Sequence, residues 1–150
     1  MENEKTIEVL NKLITINNDR IEGYETASKE TEEQDLKTLF GNLSATSQTC
    51  NQELNSEVIK LGGTPALGTK TTGKFFRVWM DVKAALTGHD RKAILNSCEY
   101  GEDIAKETYA KALENDLENL SSDLQIKIKA QHSLLVADHN VIKAMLLSLN

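Results

Sequence analysis

Apolar residues recur at intervals of three, four and seven over four long stretches of the chain. This spacing places the apolar side chains of each stretch on one face of a helix. The pattern predicts four long helices, each about 26 to 28 residues or roughly 40 Å in length. They cover residues 4–29, 34–61, 90–115 and 122–148.

The first two long helices differ in the quality of their apolar faces. The face of the first includes one polar residue, Asn17, and its helix contains Gly23, which either permits a close helix contact or is simply tolerated. On the face of the second helix, only the small or weakly polar residues Ser47 and Cys50 occupy the middle. This leaves room for a small-molecule pocket or for a neighbouring side chain. The apolar positions of the first are Ile7, Leu10, Ile14, Ile21 and Tyr24.

A long connection joins the second and third long helices. It contains a loop over 62–72, with glycines that end the preceding helix, and a short helix that Thr72 could cap. Asp90 is positioned to cap the next helix. Because this connection can extend along a whole bundle, the second and third long helices should run in the same direction, which is the ferritin-like arrangement. The predicted apolar face of the short helix is Phe75, Phe76, Trp79, Val82 and Leu86.

Composition narrows the class of protein. At 150 residues the chain predicts one domain, residues 1–150. The net charge is −6 and acidic and basic residues are mixed, so the clustered basic face that nucleic acid needs is missing. The sequence shows no secretory signal and no apolar run of about 20 residues. It therefore predicts a soluble, cytoplasmic protein with no nucleic-acid partner and no membrane insertion.

Several sequence segments resemble those of a bacterial family of ferritin-like four-helix-bundle proteins that carries a domain of unknown function. They are the Gly23–Tyr24 pair, LGGTP at 61–65, FFRVWMDVK at 75–83 and CEYGEDIAKETYAKAL at 98–113. The resemblance implies an all-α, ferritin-like four-helix bundle with a long crossover that contains a short extra helix. It implies no activity, and family context suggests a stress-related or envelope-related setting.

Acidic residues near the middle of the predicted bundle are candidate metal ligands. Ferritin-like di-iron proteins take a Glu from each of two helices and a Glu-x-x-His from each of the other two. The sequence has parallel EGYE and EYGE phrases at 22–25 and 99–102 but no Glu-x-x-His, and the nearest counterparts begin at the neutral amides Gln48 and Gln131. When residues are placed along the bundle axis by their distance from the helix ends, five acidic or histidine residues fall close to one height. They could form an asymmetric site for iron or manganese, and they are Glu22, Glu99, Glu102, Asp138 and His139.

The alternative interpretation of these residues is structural. The same side chains could lie on helix flanks, pair with Lys106 or Lys143, or hydrogen-bond across the interior, and we favour this interpretation. Cys50 and Cys98 lie on apolar faces. Counting residues along their helices separates them by about 13 Å along the bundle axis, which is too far for a disulfide.

The function predicted from these features is association without catalysis. No nucleophile–base set or phosphate-binding loop is present in the sequence, which favours a non-enzymatic bundle with no established cofactor. Ferritin-like bundles often pair, so a homodimer is the expected partner arrangement, although no heptad pattern beyond the core faces identifies its interface. The alternative function is an iron- or manganese-handling protein or oxidase that uses the five candidate ligands.

Overall fold

The computed structural model describes residues 2–68 and 73–149, with side chains over 3–68 and 77–149. Within those ranges the protein is all-α and contains no strand. The predicted long helices are confirmed to within two residues at each end. The helices are α1 (Glu2–Glu30), α2 (Gln34–Lys60), α3 (Gly73–Thr87), α4 (Arg91–Asn115) and α5 (Ser122–Ser148), with a 3-10 turn at Leu117–Asn119.

The short helix α3 confirms the predicted element between the second and third long helices. Of its predicted apolar face, Val82 and Leu86 are buried and Trp79 is half-buried. The side chains of Phe75 and Phe76, and the predicted Thr72 cap, lie outside the described residues.

Side-chain caps fix the beginnings of α4 and α5. The Asp90 carboxylate accepts a hydrogen bond from the Ala93 backbone N–H at 3.1 Å, which confirms the predicted cap. The Ser121 hydroxyl accepts one from the Leu124 N–H at 3.2 Å. Each cap satisfies a backbone donor that has no partner within the helix.

Left-handed residues end α2 and α3. Gly62 has a φ of 84°, and the N–H of Gly63 donates to the Val58 carbonyl at 3.0 Å, which closes α2. His89 adopts a φ of 54° after α3, where Asp90 N–H donates to an earlier carbonyl in the same way. His89 is also exposed, so its role in the structure is to turn the chain into α4.

Contacts at the helix ends give the directions of the helices. The Arg91 guanidinium at the start of α4 pairs with Glu33 at 3.1 Å and with Asp35, both at the start of α2. The Thr6 hydroxyl near the start of α1 donates to the Asn119 carbonyl, just after α4. Helices α2 and α4 therefore run in the same direction, and α1 runs opposite to α4.

Helix α3 packs closely against α1 and α4. A Cβ built on Gly23 of α1 would lie 2.1 Å from ring carbons of Trp79, and one built on Gly101 of α4 would lie 3.0 Å from a Val78 methyl carbon. Gly23 therefore makes room for the indole, which supports the close-contact interpretation of this glycine.

The apolar core consists of two clusters along the bundle. One contains Leu10, Leu13, Ile14, Leu54, Val58 and Ile128, and the other contains Phe40, Leu43, Val78, Ile94, Leu95 and Ile142, among others. Along their helices, the buried polar residues Asn17, Arg20, Ser47 and Glu102 lie between the members of the two clusters. None of the helices in the described part of the chain combines the length and apolarity that crossing a membrane requires.

Candidate functional site

An arginine lies at the centre of the bundle. Arg20 of α1 is 0% exposed and is the largest of the fully buried side chains. It follows Asn17 by three residues and precedes Tyr24 by four, so all three lie on the core-facing side of α1. An arginine is rarely buried without a partner, because removing its charge from water is costly.

The partner of this arginine is Glu102 of α4, which is 1% exposed. Arg20 Nε donates to Glu102 Oε2 at 2.9 Å, and Nη2 donates to Oε1 at 2.7 Å. This two-point geometry is the strongest that a guanidinium and a carboxylate form. Nη2 also donates to Asp138 Oδ2 of α5 at 3.1 Å, and Nη1 donates to the Ser47 hydroxyl of α2. The guanidinium thus contacts all the other long helices of the bundle.

Tyr24 completes the surroundings of Glu102. Its hydroxyl donates to Glu102 Oε2 at 2.8 Å, and its ring lies 5.5 Å from the Arg20 guanidinium carbon. Burial, with the Glu102 charge adding to it, holds the pKa of Tyr24 well above its usual value. The phenol therefore remains a donor, and both oxygens of Glu102 have partners.

A chain of hydrogen bonds extends from this ion pair toward the apolar cluster that contains Leu10 and Ile128. Ser47 donates to Asn17 Oδ1 at 2.7 Å, and Asn17 Nδ2 donates to the Tyr109 hydroxyl at 2.8 Å. Tyr109 donates to Gln131 Oε1 at 2.7 Å, and Gln131 Nε2 donates to the Cys50 carbonyl at 3.3 Å. We call these side chains, with Arg20, Tyr24, Glu102 and Asp138, the buried network.

The charges of the buried network are compensated within it. Burial acts to lower the pKa of Arg20, but the charge of Glu102, with Tyr24 and Asp138, outweighs it and the pKa is raised. Burial raises the pKa of Asp138, and the nearby Arg20 only partly offsets that effect. The arginine is therefore a permanent cation held by one carboxylate, with a second at the edge of the site.

Small side chains on α2 make room for the guanidinium. Ser44, Ser47 and Cys50 are all buried, and the first two lie one turn apart. At Ser47, in the thin part of the α2 apolar face, the Arg20 guanidinium thus takes a place where the sequence left room for a small-molecule pocket or a neighbouring side chain.

A shallow groove of about 270 Å³ lies between α1 and α4, and none of the residues lining it belongs to the buried network. Its two lysines pair with glutamates on their own helices, Lys12 with Glu8 at 3.9 Å and Lys111 with Glu107 at 2.9 Å. The lining residues are Val9, Lys12, Leu13, Thr108, Lys111, Ala112, Asn115 and Asp116.

The five candidate metal ligands fall into three separate environments. Glu22 is exposed, whereas Glu102 and Asp138 both bind Arg20. His139 Nε2 lies 3.0 Å from Asp103 Oδ1 and 3.7 Å from Glu99 Oε2 on the flank of the bundle. Over residues 3–68 and 77–149, whose side chains the structure describes, no three His, Cys, Asp or Glu side chains are grouped so that they could hold a metal ion.

The residues that sequence reasoning missed are Arg20 and Tyr109. The signal for Arg20 was present, because its spacing from Asn17 and Tyr24 places it on the α1 core face. Tyr109 falls within the apolar pattern of its helix, but its hydroxyl serves as a link between Asn17 and Gln131.

Both cysteines are free and buried. Burial raises the pKa of the Cys50 thiol to about 11, and burial with the Glu102 charge raises that of Cys98 further. Since the thiolate is the reactive form, both side chains act as small apolar groups.

A family model described as a domain of unknown function (DUF2383) matches residues 5–115, from the first turns of α1 to the end of α4. A search of curated proteins finds no significant match.

Proposed function

The chain belongs to the DUF2383 family, a domain of unknown function, and we propose that it is a ferritin-like bundle that acts through association rather than catalysis. The observation that carries this proposal is the position of the Arg20 guanidinium between the central carboxylates. In this proposal the acidic middle of the bundle is a structural ion pair.

The directions of the helices support the ferritin-like part of the proposal. Helices α2 and α4 begin at the same end, where Arg91 meets Glu33 and Asp35. The segment between them contains α3, which packs on α4 and on Gly23 of α1. A bundle with one long crossover and two antiparallel hairpins has this connectivity.

The bonding of Glu102 supports the non-catalytic part. A bridging carboxylate in a di-iron bundle must direct its oxygens at the metal ions. Here one oxygen accepts from Arg20 and the other accepts from Arg20 and Tyr24. A cation bound at this position would have to displace a guanidinium or lie against its positive charge.

Metal content tests this proposal against an iron or manganese site. Tag-free protein is incubated anaerobically with Fe(II) or Mn(II), desalted, and analysed for bound metal by mass spectrometry. We expect well below one ion per chain, and no change in the thermal unfolding midpoint, because Arg20 already compensates Glu102. The control variant is Glu30→Gln, an exposed acid at the end of α1 that reports adventitious binding.

The opposite result would establish the alternative function. Stoichiometric metal that is lost in Glu102→Gln and in His139→Ala, but retained in Glu30→Gln, would mean that the candidate ligands rearrange around an ion. The proposal of a structural ion pair would then be wrong.

A further inference from the structure

Helix α5 has apolar residues on two sides. One side supplies core residues such as Ile128, Leu135 and Ile142, which are 0% exposed. A second set, which we call the outer stripe, is exposed and turned well away from the core side. The outer stripe consists of Ile126, Ala130, Leu134, Ala137, Val141 and Ala144.

The spacing of the outer stripe is that of a helix–helix contact. Its residues follow one another at intervals of four, four, three, four and three, which forms one continuous line about 27 Å long on a helix. The three large members are substantially exposed, Ile126 by 66%, Leu134 by 45% and Val141 by 50%. A line of this kind on a surface helix is the pattern of a helical interface.

Charge is missing from the centre of the outer stripe and its borders. From Ala130 to Val141, every exposed residue of α5 is uncharged, including the bordering Ser133 and Asn140. Helix α1 is the contrast, because its exposed positions include Glu4, Lys5, Glu8, Lys12, Glu22, Glu25, Lys29 and Glu30. Depletion of charge at the centre of an apolar patch is the compositional mark of a protein–protein interface.

The order of large and small residues favours a second copy of the same helix as the partner. If a second α5 lies antiparallel with its midpoint between Leu134 and Ala137, each large residue faces an alanine. Leu134 then faces Ala137, Ala130 faces Val141, and Ile126 lies within one residue of the level of Ala144. A parallel pairing in register would instead set each residue against itself and leave gaps at every alanine.

We propose that the outer stripe of α5 binds the outer stripe of a second copy of this chain, as an antiparallel two-fold interface. In such an interface the same surface is used by both protomers, so a self-complementary stripe is what symmetry requires. The inference deepens the association role proposed above and rests on it. One helix pair has a small footprint, so the dimer should be reversible, with a dissociation constant on the order of micromolar.

Sedimentation of the full chain between roughly 1 and 500 µM tests the interface. We expect the wild type to shift from one chain to two over this range. Val141→Lys and Leu134→Lys should remain monomeric throughout, with unchanged circular dichroism because both side chains are exposed. The matched control is Ile59→Lys, which changes an equally exposed apolar residue of α2 and should dimerise like the wild type.

The outcomes separate this inference from the proposed role. If both stripe variants dimerise as the wild type does, the chain associates through another surface and the stripe inference is overturned, while association stands. If the wild type is a monomer at every concentration, self-association and the stripe inference both fail. A wild type that binds lipid vesicles without dimerising would overturn the choice of a second copy as the partner.

Single cysteines test the antiparallel register. In the proposed register two copies of residue 137 lie within about 5 Å of each other along the helix axes, whereas two copies of residue 126 lie about 28 Å apart. Ala137→Cys should therefore form an intermolecular disulfide under mild oxidation, and Ile126→Cys should not. Cross-linking by both variants would indicate a parallel pair, and cross-linking by neither would exclude a close α5 contact.

Discussion

At the scale of single residues, the contact between Arg20 and Glu102 separates two glutamates that the sequence presents as equivalent. Glu99 and Glu102 lie one turn apart on α4 in the same EYGE phrase. Only Glu102 is buried, and it accepts three hydrogen bonds from Arg20 and Tyr24. Glu99 is about a third exposed and lies 3.7 Å from His139. Their substitutions should therefore have different costs.

We expect Glu102→Gln to lower the free energy of unfolding by about 2 to 4 kcal/mol, because it leaves a buried guanidinium without its full countercharge. Glu99→Gln is the matched control and should change it by less than about 0.5 kcal/mol, as surface substitutions usually do. Urea denaturation at pH 7 measures both values. Equal costs for the two variants would mean that the ion pair contributes no more than a surface contact.

The sequence reveals only part of this ion pair. Glu102 was identified as a central carboxylate from its helix level, and hydrogen bonding across the interior was one of the alternatives considered. Its partner was not identified, since arginines are mostly exposed and composition alone assigns Arg20 to the surface. The spacing of Arg20 from Asn17 and Tyr24 places it on the inward face of α1, but which carboxylate it meets there depends on how the four long helices pack together.

At the scale of elements, the fit of α3 on α1 depends on the missing side chain of Gly23. The Trp79 ring occupies the space that a Cβ would fill, at 2.1 Å from two of its carbons. Trp79 also contacts Tyr24 edge-to-face, with ring centroids 5.0 Å apart. The Gly23–Tyr24 pair therefore forms the surface on which the indole lies.

Two glycine-to-alanine substitutions should have opposite effects on stability. Gly23→Ala should lower the free energy of unfolding by about 1 to 3 kcal/mol, because the new methyl group overlaps Trp79 and must displace it. Gly41→Ala, in the N-terminal third of α2 with no atom beyond its own turn of helix within 4 Å of its Cβ position, should raise it by up to about 1 kcal/mol through helix propensity. Thermal unfolding followed by circular dichroism compares them. Stabilisation by both would show that α3 repacks freely.

Helices were the most predictable elements, and the reason is their length. Each long helix repeats its apolar pattern over several turns, so a few polar entries such as Asn17 do not obscure it. The Asp90 cap was local and was also predicted, whereas the Ser121 cap of α5 was not. The outer stripe of α5 was missed because apolar residues on two sides of one helix obscure the apolar periodicity. Only the burial of each side chain in the structure distinguishes the exposed Ile126 and Val141 from the buried Ile128 and Ile142.

At the scale of the whole molecule, α5 completes the bundle although it lies outside the residues that the family model matches. The matched residues end with α4, yet Asp138 and Gln131 of α5 take part in the buried network. The same helix carries the outer stripe. Helix α5 therefore connects the interior of one chain to the surface that we propose for a second.

The two buried thiols and the buried network also determine how the stability of the whole molecule responds to alkaline pH. Burial raises the pKa of Cys50 to about 11 from an unfolded value near 9.0. The folded state therefore holds this proton more tightly, and its contribution to stability is complete below pH 9 and is lost as the pH rises toward 11. A shift of this size corresponds to roughly 2 to 3 kcal/mol. Cys98 and Tyr24, whose pKa values are also raised by burial, should add to the loss of stability.

Urea denaturation between pH 8 and 11 should show that the free energy of unfolding falls steeply with pH for the wild type and less steeply for Cys50→Ala. Titration of surface lysines affects both proteins alike, so the difference between the two slopes isolates the thiol. Parallel slopes would mean that water reaches Cys50 in the folded protein and that the centre of the bundle is less closed than its hydrogen bonds indicate.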